Sequence, residues 1–317
     1  MNDLVLIQQP GTPAKAEAMP PLTVIVERFL FSQDVSPQSR ELYRRTLKQF
    51  FAWVDLSGHD LDQLTREHLL TYKQYLLDKG LSPLTVGSYI TVLRLFYKFT
   101  SIHRIYRNIA EGIKLPRRPQ GHRKQVLIEK EGKALLEHLS TQGARNKAIG
   151  ATLIYTGIRT IELSRLLIKD LTIKQGARVL MIHGKGRDIK DRFITLNETA
   201  YQAIRQYLST RPEALPGEPM FVSDSNNNRG KSISTTTIST IIKGALRACG
   251  LDDASLTAHS LRHTFGTSLI RAGIPVYEVS KAMGHTSINT TNIYISTIED
   301  EMRLKSPVTD AINGIYD

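Results

Sequence analysis

The segment from 115 to 124 limits the fold of this chain more than any other. It reads Leu115-Pro116-Arg117-Arg118-Pro119-Gln120-Gly121-His122-Arg123-Lys124. Neither proline offers a backbone N–H, and each pushes the residue before it away from helical geometry. No helix or central strand can run through such a stretch, so the residues on its two sides must build separate cores. Residues 115–124 are expected to form a basic interdomain linker. Arg117, Arg118, Arg123 and Lys124 suit a path along a polyanion, although a plain hinge would use the same residues.

On the N-terminal side the apolar spacing is helical throughout. Leu22, Val26, Phe29 and Leu30 mark a first short helix. Ser36-Pro37 supplies an N-cap followed by proline at the first helical position, ahead of Leu42, Leu47, Phe50, Phe51 and Val54. Thr65 opens a third helix carrying Leu69, Tyr72 and Leu76, stopped at Gly80. Ser82-Pro83 repeats the start signal before Val86, Ile90, Leu93 and Phe96. This predicts an all-α unit over 22–114. Residues 1–21, broken by Pro10, Gly11, Pro13, Pro20 and Pro21, are expected to be a flexible arm. Arg44, Arg45 and Lys48 fall on the second helix, Arg94 and Lys98 on the fourth. A solvated helix face explains such residues in most proteins. Two such faces in one small basic unit lean towards phosphate contacts.

Beyond the linker, residues 125–317 read as mixed α/β, mainly helical. Glu129–Leu139 and Ala144–Tyr155 have helical spacing, the second ending at Gly157. Leu171–Ile173, Arg178–Ile182 and Arg192–Leu196 read as strands of a small antiparallel sheet, with Lys185 in a Gly184-Lys185-Gly186 turn. Asn197 and Ser234 each cap a further helix. The tail carries Val308, Ile312 and Ile315 at helical spacing, too short a run to stand alone, and is expected to dock on this molecule or another.

Composition narrows the partners. Lys and Arg number 42 against 30 Asp and Glu, a formal charge of +12, which favours a polyanion, with nucleic acid first. The single cysteine, Cys249, excludes an internal disulfide and a thiolate metal cluster. No apolar run has the length of a membrane span, and the N-terminus lacks the order of a signal peptide, so a cytoplasmic protein is expected.

One interval concentrates the chemistry. From Thr257 to Tyr294 the chain carries His259, Arg262, His263, His285 and Tyr294. These are donors for non-bridging oxygens, a proton shuttle and a phenol, the inventory for handling a phosphodiester. His259 and Arg262 share a helix face. His259 and His263 also stand at a spacing that can bind zinc, with His285 as a third ligand, but no glutamate base lies between them and Arg262 would repel a cation. Composition and spacing alone do not join these residues to Arg159 or Lys185.

Resemblance joins them. Thr156-Gly157-Ile158-Arg159-Thr160-Ile161-Glu162 is similar to the first arginine box of the tyrosine recombinase (phage integrase) superfamily, and Gly184-Lys185-Gly186 to its hairpin lysine. His259-Ser260-Leu261-Arg262-His263 resembles its H-x-x-R box, Met283-Gly284-His285 its Leu-Gly-His, and Tyr294 stands where its nucleophile lies. Ser82-Pro83-Leu84-Thr85-Val86 resembles, more weakly, the family's SAM-like core-binding domain, which adds Thr85 to the DNA-binding candidates.

The resemblance implies a mainly α, two-domain protein that cleaves and rejoins double-stranded DNA through a 3′-phosphotyrosine. Tyr294 would be the nucleophile, Arg159 and Arg262 would hold the phosphate oxygens, and Lys185 would protonate the leaving 5′-oxygen. His259 would assist proton transfer, His285 would bind the phosphate and Glu162 would support Arg159. No metal, ATP or other cofactor is implied. A tetramer joined by tails from about residue 297 is implied, in a simple Xer-like layout acting at the nucleoid. An accessory protein or a second recombinase stays open. A topoisomerase IB-like relaxing enzyme is the alternative outcome of the same chemistry.

Overall fold

The computed structural model describes residues 19–117, 125–182 and 192–285, together with Ser287, Thr291 and Ile298. The chain splits into two compact units, Met1–His122 and Arg123–Asp317.

The first unit is built from α1 (Leu22–Ser32), α2 (Pro37–Leu56), α3 (Arg66–Asp78) and α4 (Pro83–Ile102). Local chemistry starts the helices. Ser36 Oγ accepts the Ser39 N–H at 3.2 Å, and Ser82 Oγ accepts the Thr85 N–H at 3.2 Å. Such a cap contributes about 1 kcal/mol. At α3 the expected cap works in reverse: the Thr65 N–H donates to His68 Nδ1 at 3.0 Å. The core is aromatic. Phe29 meets Phe96 edge-on at 5.5 Å between centroids, and Phe50 meets Tyr72 at 5.0 Å. Burial pushes the phenols of Tyr72 and Tyr97 far above their ordinary value, so neither can supply a phenolate.

After α4 the chain stays on this unit through Lys114. Arg66 donates to the carbonyls of Glu111 and Gly112, and Lys73 Nζ to that of Lys114 at 3.2 Å. Leu115 and Pro116 then line a cleft of about 340 Å³ with Leu42, Tyr43, Leu84 and Val92. Arg117 is exposed, while Arg118, Arg123 and Lys124 lie outside the described residues.

The second unit begins with α5 (Glu129–Thr141), α6 (Ala144–Thr156) and the short α7 (Thr160–Ser164). A three-stranded antiparallel sheet follows in the order β1 (Leu171–Lys174), β2 (Ala177–Ile182), β3 (Arg192–Thr195). Register pairs Leu171 with Leu180 and Ile182 with Arg192. The β1–β2 link is a two-residue turn in which Gln175 and Gly176 both have positive φ, 49° and 79°, the pattern of a type I′ hairpin. Then come α8 (Glu198–Leu208), α9 (Thr235–Ala248), α10 (Ala258–Arg271) and α11 (Val276–Met283). Asn197 and Ser234 cap α8 and α9 through bonds from Ala200 N–H at 2.9 Å and Thr237 N–H at 3.0 Å.

Helix α6 is the centre of this unit. Ala148, Ile149, Gly150, Ala151, Thr152 and Leu153 are all buried, so the helix is covered nearly all round. One end of this core helix therefore has little freedom, and the chain leaves it at Gly157. Among the described residues no helix is long and apolar enough to cross a membrane.

Candidate active site

Gly157 ends α6 in the left-handed conformation, φ 61°. A Cβ there would lie 2.8 Å from Cγ of Phe265 and closer to Cδ1, so the position needs glycine for both its torsion and its space. The turn delivers Arg159 to the start of α7. Glu162, three residues on, reaches back. Its Oε2 accepts the Arg159 backbone N–H at 2.7 Å and its Oε1 accepts Arg159 Nη1 at 2.8 Å. One buried carboxylate, 6% exposed, thus starts the helix and orients the arginine.

Arg262 comes from α10. Thr257 Oγ1 caps that helix through the His259 N–H at 3.2 Å. The helix periodicity then carries Arg262 to the buried side, 3% exposed. Its Nη1 donates to the Gly157 carbonyl and its Nη2 to the Met283 carbonyl, each at 2.6 Å. These two carbonyls fix the direction of the guanidinium plane.

The third contribution is the end of α11. Gly284 is left-handed, φ 62°, and the His285 N–H donates to the Ser280 carbonyl at 3.0 Å, closing the helix with a Schellman-type turn. That turn sets the main chain of His285, whose Nδ1 lies 2.8 Å from Thr291 Oγ1. Arg159 Nη2 also reaches the Gly284 carbonyl at 3.5 Å. The adjacent carbonyls of Met283 and Gly284 therefore each take one of the two arginines, beside His285. His259 is exposed on α10, with its ring edge-on to that of buried His263 at 4.6 Å.

The structure thus brings together Arg159, Glu162, Arg262 and His285, with His259 on the same helix as Arg262. Lys185 and Tyr294 lie outside the described residues. Sequence reading missed Arg192. It opens β3 and donates to Glu162 Oε1 at 3.2 Å and to the Ala282 carbonyl at 3.0 Å. No local signal marks it, because its partners arrive from α7 and α11. Among the described residues no group of three or more His, Cys, Asp or Glu side chains could hold a metal ion.

On the first unit, the candidates for DNA contact differ in surroundings. Arg44 pairs with Glu27 at 2.9 Å and Glu41 at 3.2 Å, and Arg45 with Glu41 at 3.1 Å. These arginines hold Glu41 below the usual carboxylate range. Lys48 and Lys98 are exposed, Arg94 is partly buried, and the Thr85 hydroxyl lies 2.8 Å from that of Ser82.

Comparison with known proteins gives the family. Residues 125–300 match the phage integrase family, and residues 27–103 match the phage integrase N-terminal SAM-like domain. Tyrosine recombinase XerC of Pelobacter propionicus is 29% identical over 277 residues, spanning 85% of this chain and 88% of that one. Tyrosine recombinase XerD of Listeria innocua is 29% identical over 286 residues, with 87% and 93% covered. Among solved structures, XerH recombinase bound to palindromic difH substrate superposes with a TM-score of 0.69 at 19% identity, covering 91% of this chain and 84% of that one. The Tn1549 transposon integrase in complex with transposon right end DNA gives 0.68 at 20% identity, covering 89% and 98%. The chain belongs to the phage integrase family, and with it to the tyrosine-type site-specific DNA recombinases.

Proposed function

We propose that this enzyme cuts one DNA strand at its target site by attack of Tyr294 on the scissile phosphate. The attack forms a tyrosyl–phosphorus bond and breaks the bond to the 5′-oxygen, which leaves as a hydroxyl with a proton from Lys185. His259 assists removal of the phenolic proton, and His285 hydrogen-bonds the phosphate. Arg159 and Arg262 hold the non-bridging oxygens and stabilise the charge that builds there. Religation runs the same steps backwards with a new 5′-hydroxyl, so the phosphodiester energy is conserved and no ATP is needed.

The observation that carries this reading is the convergence of Arg159 and Arg262 on the adjacent carbonyls of Met283 and Gly284. Two guanidiniums aimed from different helices at one turn form an anion cradle. Guanidinium forks match the non-bridging oxygens of a phosphate, which is the anion such a pair suits.

The partner is DNA. Arg44, Arg45, Lys48, Thr85, Arg94 and Lys98 of the helical unit, with Arg117, Arg118, Arg123 and Lys124 of the linker, are our candidates for its phosphates. Of the arm expected over 1–21, residues 1–18 lie outside the described residues; the active assembly is a tetramer at the nucleoid on two sites. Its joints are tails from about residue 297, anchored by Val308, Ile312 and Ile315 in a neighbour. In support, the second unit carries a groove of about 890 Å³ lined by Leu127, Leu136, Ile154, Phe265, Leu269 and Ile274. Strand exchange is favoured over the relaxing-enzyme reading because the relatives are recombinases along most of their length.

The test is covalent capture of a nicked suicide duplex. Wild type is expected to form a protein–DNA adduct, and Tyr294→Phe to bind the duplex and form none. An adduct with the phenylalanine variant sinks the assignment of the nucleophile.

A further inference from the structure

Arg192 pairs with Ile182, the last described pair of the β2–β3 ladder, and its side chain is only 18% exposed. Its Nη2 shares Glu162 Oε1 with Arg159 Nη1, at 3.2 Å and 2.8 Å. Its Nη1 bonds the Ala282 carbonyl at 3.0 Å. The guanidinium also packs on Gly284, where a Cβ would come within 2.8 Å of Nε and closer to Cζ and Nη1. Arg192 therefore touches both supports of Arg159: the carboxylate that orients its Nη1, and the turn whose Gly284 carbonyl takes its Nη2. A carboxylate oxygen shared between two guanidiniums has little rotational freedom, and a planar fork fixes direction as well as distance. An arginine that served only its strand pairing would need none of these partners.

We propose that Arg192 is a positioning residue for strand cleavage, holding Glu162 and the end of α11 in the arrangement that aims Arg159 at the scissile phosphate. It does not touch the DNA. The inference rests on the reading of Arg159 as a phosphate-holding residue. Its effect belongs to the chemical step, because a small misplacement of a charge-stabilising group costs rate even when substrate still binds.

The test uses the full chain and a nicked duplex that the wild-type protein captures covalently. Arg192→Gln is expected to slow single-turnover capture about 100-fold, with duplex affinity unchanged within about threefold. Combining it with Glu162→Gln should leave capture within about threefold of the slower single variant, since both changes disable one unit. On a duplex with a neutral methylphosphonate at the scissile position, where Arg159 has less charge to stabilise, the wild-type-to-variant ratio should fall below about tenfold. Arg192→Lys, which keeps the charge but not the fork, should give an intermediate rate, and it carries the comparison if the glutamine variant does not fold. Wild-type capture by Arg192→Gln, additive loss in the double variant, or an undiminished ratio on the neutral linkage overturns the proposal while leaving the recombinase reading intact. A wild-type protein that captures nothing, or a Tyr294→Phe variant that still captures, removes the underlying assignment and this one with it.

Discussion

Gly157 is the junction where core packing and chemistry meet, and Gly157→Ala puts a number on it. An alanine at φ 61° sits in the left-handed region, at a cost of about 1–2 kcal/mol. Its Cβ would lie 2.8 Å from Phe265 Cγ, and overpacking of that kind costs roughly 1–3 kcal/mol. Together the second unit should lose about 2–5 kcal/mol, or for a domain of this size roughly 2–4 °C of Tm per kcal/mol. Calorimetry reads the loss directly. The Gly157 carbonyl holds Arg262 Nη1 at 2.6 Å, so relieving the crowding by tilting this turn should also slow covalent capture by about 10-fold or more. Phe265→Ala removes the ring that the methyl strikes. The double variant should therefore be more stable than the sum of the singles by about 1–3 kcal/mol, leaving only the torsional part. A Gly157→Ala protein that loses less than about 1 kcal/mol, or strict additivity with Phe265→Ala, refutes the reasoning.

Three further outcomes follow from other contacts. Thr264 Oγ1 accepts the buried Leu127 N–H at 2.9 Å, so Thr264→Val should cost about 1–3 kcal/mol in denaturant unfolding, with Thr264→Ser much closer to wild type. The Ser255 N–H and hydroxyl, with Gln125, hold the Asp253 carboxyl below its usual range. Its folded pKa is depressed, so the stability it adds is full above about pH 4 and is lost as pH falls through the depressed value; Asp253→Asn should flatten the Tm–pH curve in that acid window. Lys98→Ala should lower the slope of log affinity against log salt by about 0.9 if Lys98 contacts a phosphate, as fluorescence anisotropy at several salt concentrations would report.

Much of the helical framework is legible in the sequence because its signals are local. The caps at Ser36, Ser82, Asn197 and Ser234 involve a hydroxyl or amide and an N–H three positions on, and all four bonds form. Thr65 is a partial exception, since the bond at this helix start runs from its own backbone N–H to the ring of His68. The hairpin at Gln175-Gly176 is hidden because glutamine is an uncommon choice at φ 49°. The helix Val276–Met283 is hidden because its run is short. The candidate site is legible differently. Arg159, Glu162, Arg262 and His285 are found through motif resemblance, and physics explains their geometry only once α7, α10 and α11 are in place. Arg192 belongs to no such motif, and its carboxylate and carbonyl partners are brought to it by tertiary packing alone.

The left-handed turn that closes α11 is, for the two arginines, a shared datum. Because Arg159 and Arg262 are both referenced to adjacent carbonyls of one backbone, a drift of that helix end displaces them in common mode. Their spacing, which on the proposed reading must match a phosphate, is insulated from motions of that helix end. Main-chain atoms perform the referencing, so the side chains of α11 can vary without detuning the pair. Differential displacement must come from the anchors they do not share, the Gly157 carbonyl for Arg262 and Glu162 for Arg159, or from the torsions at Gly284.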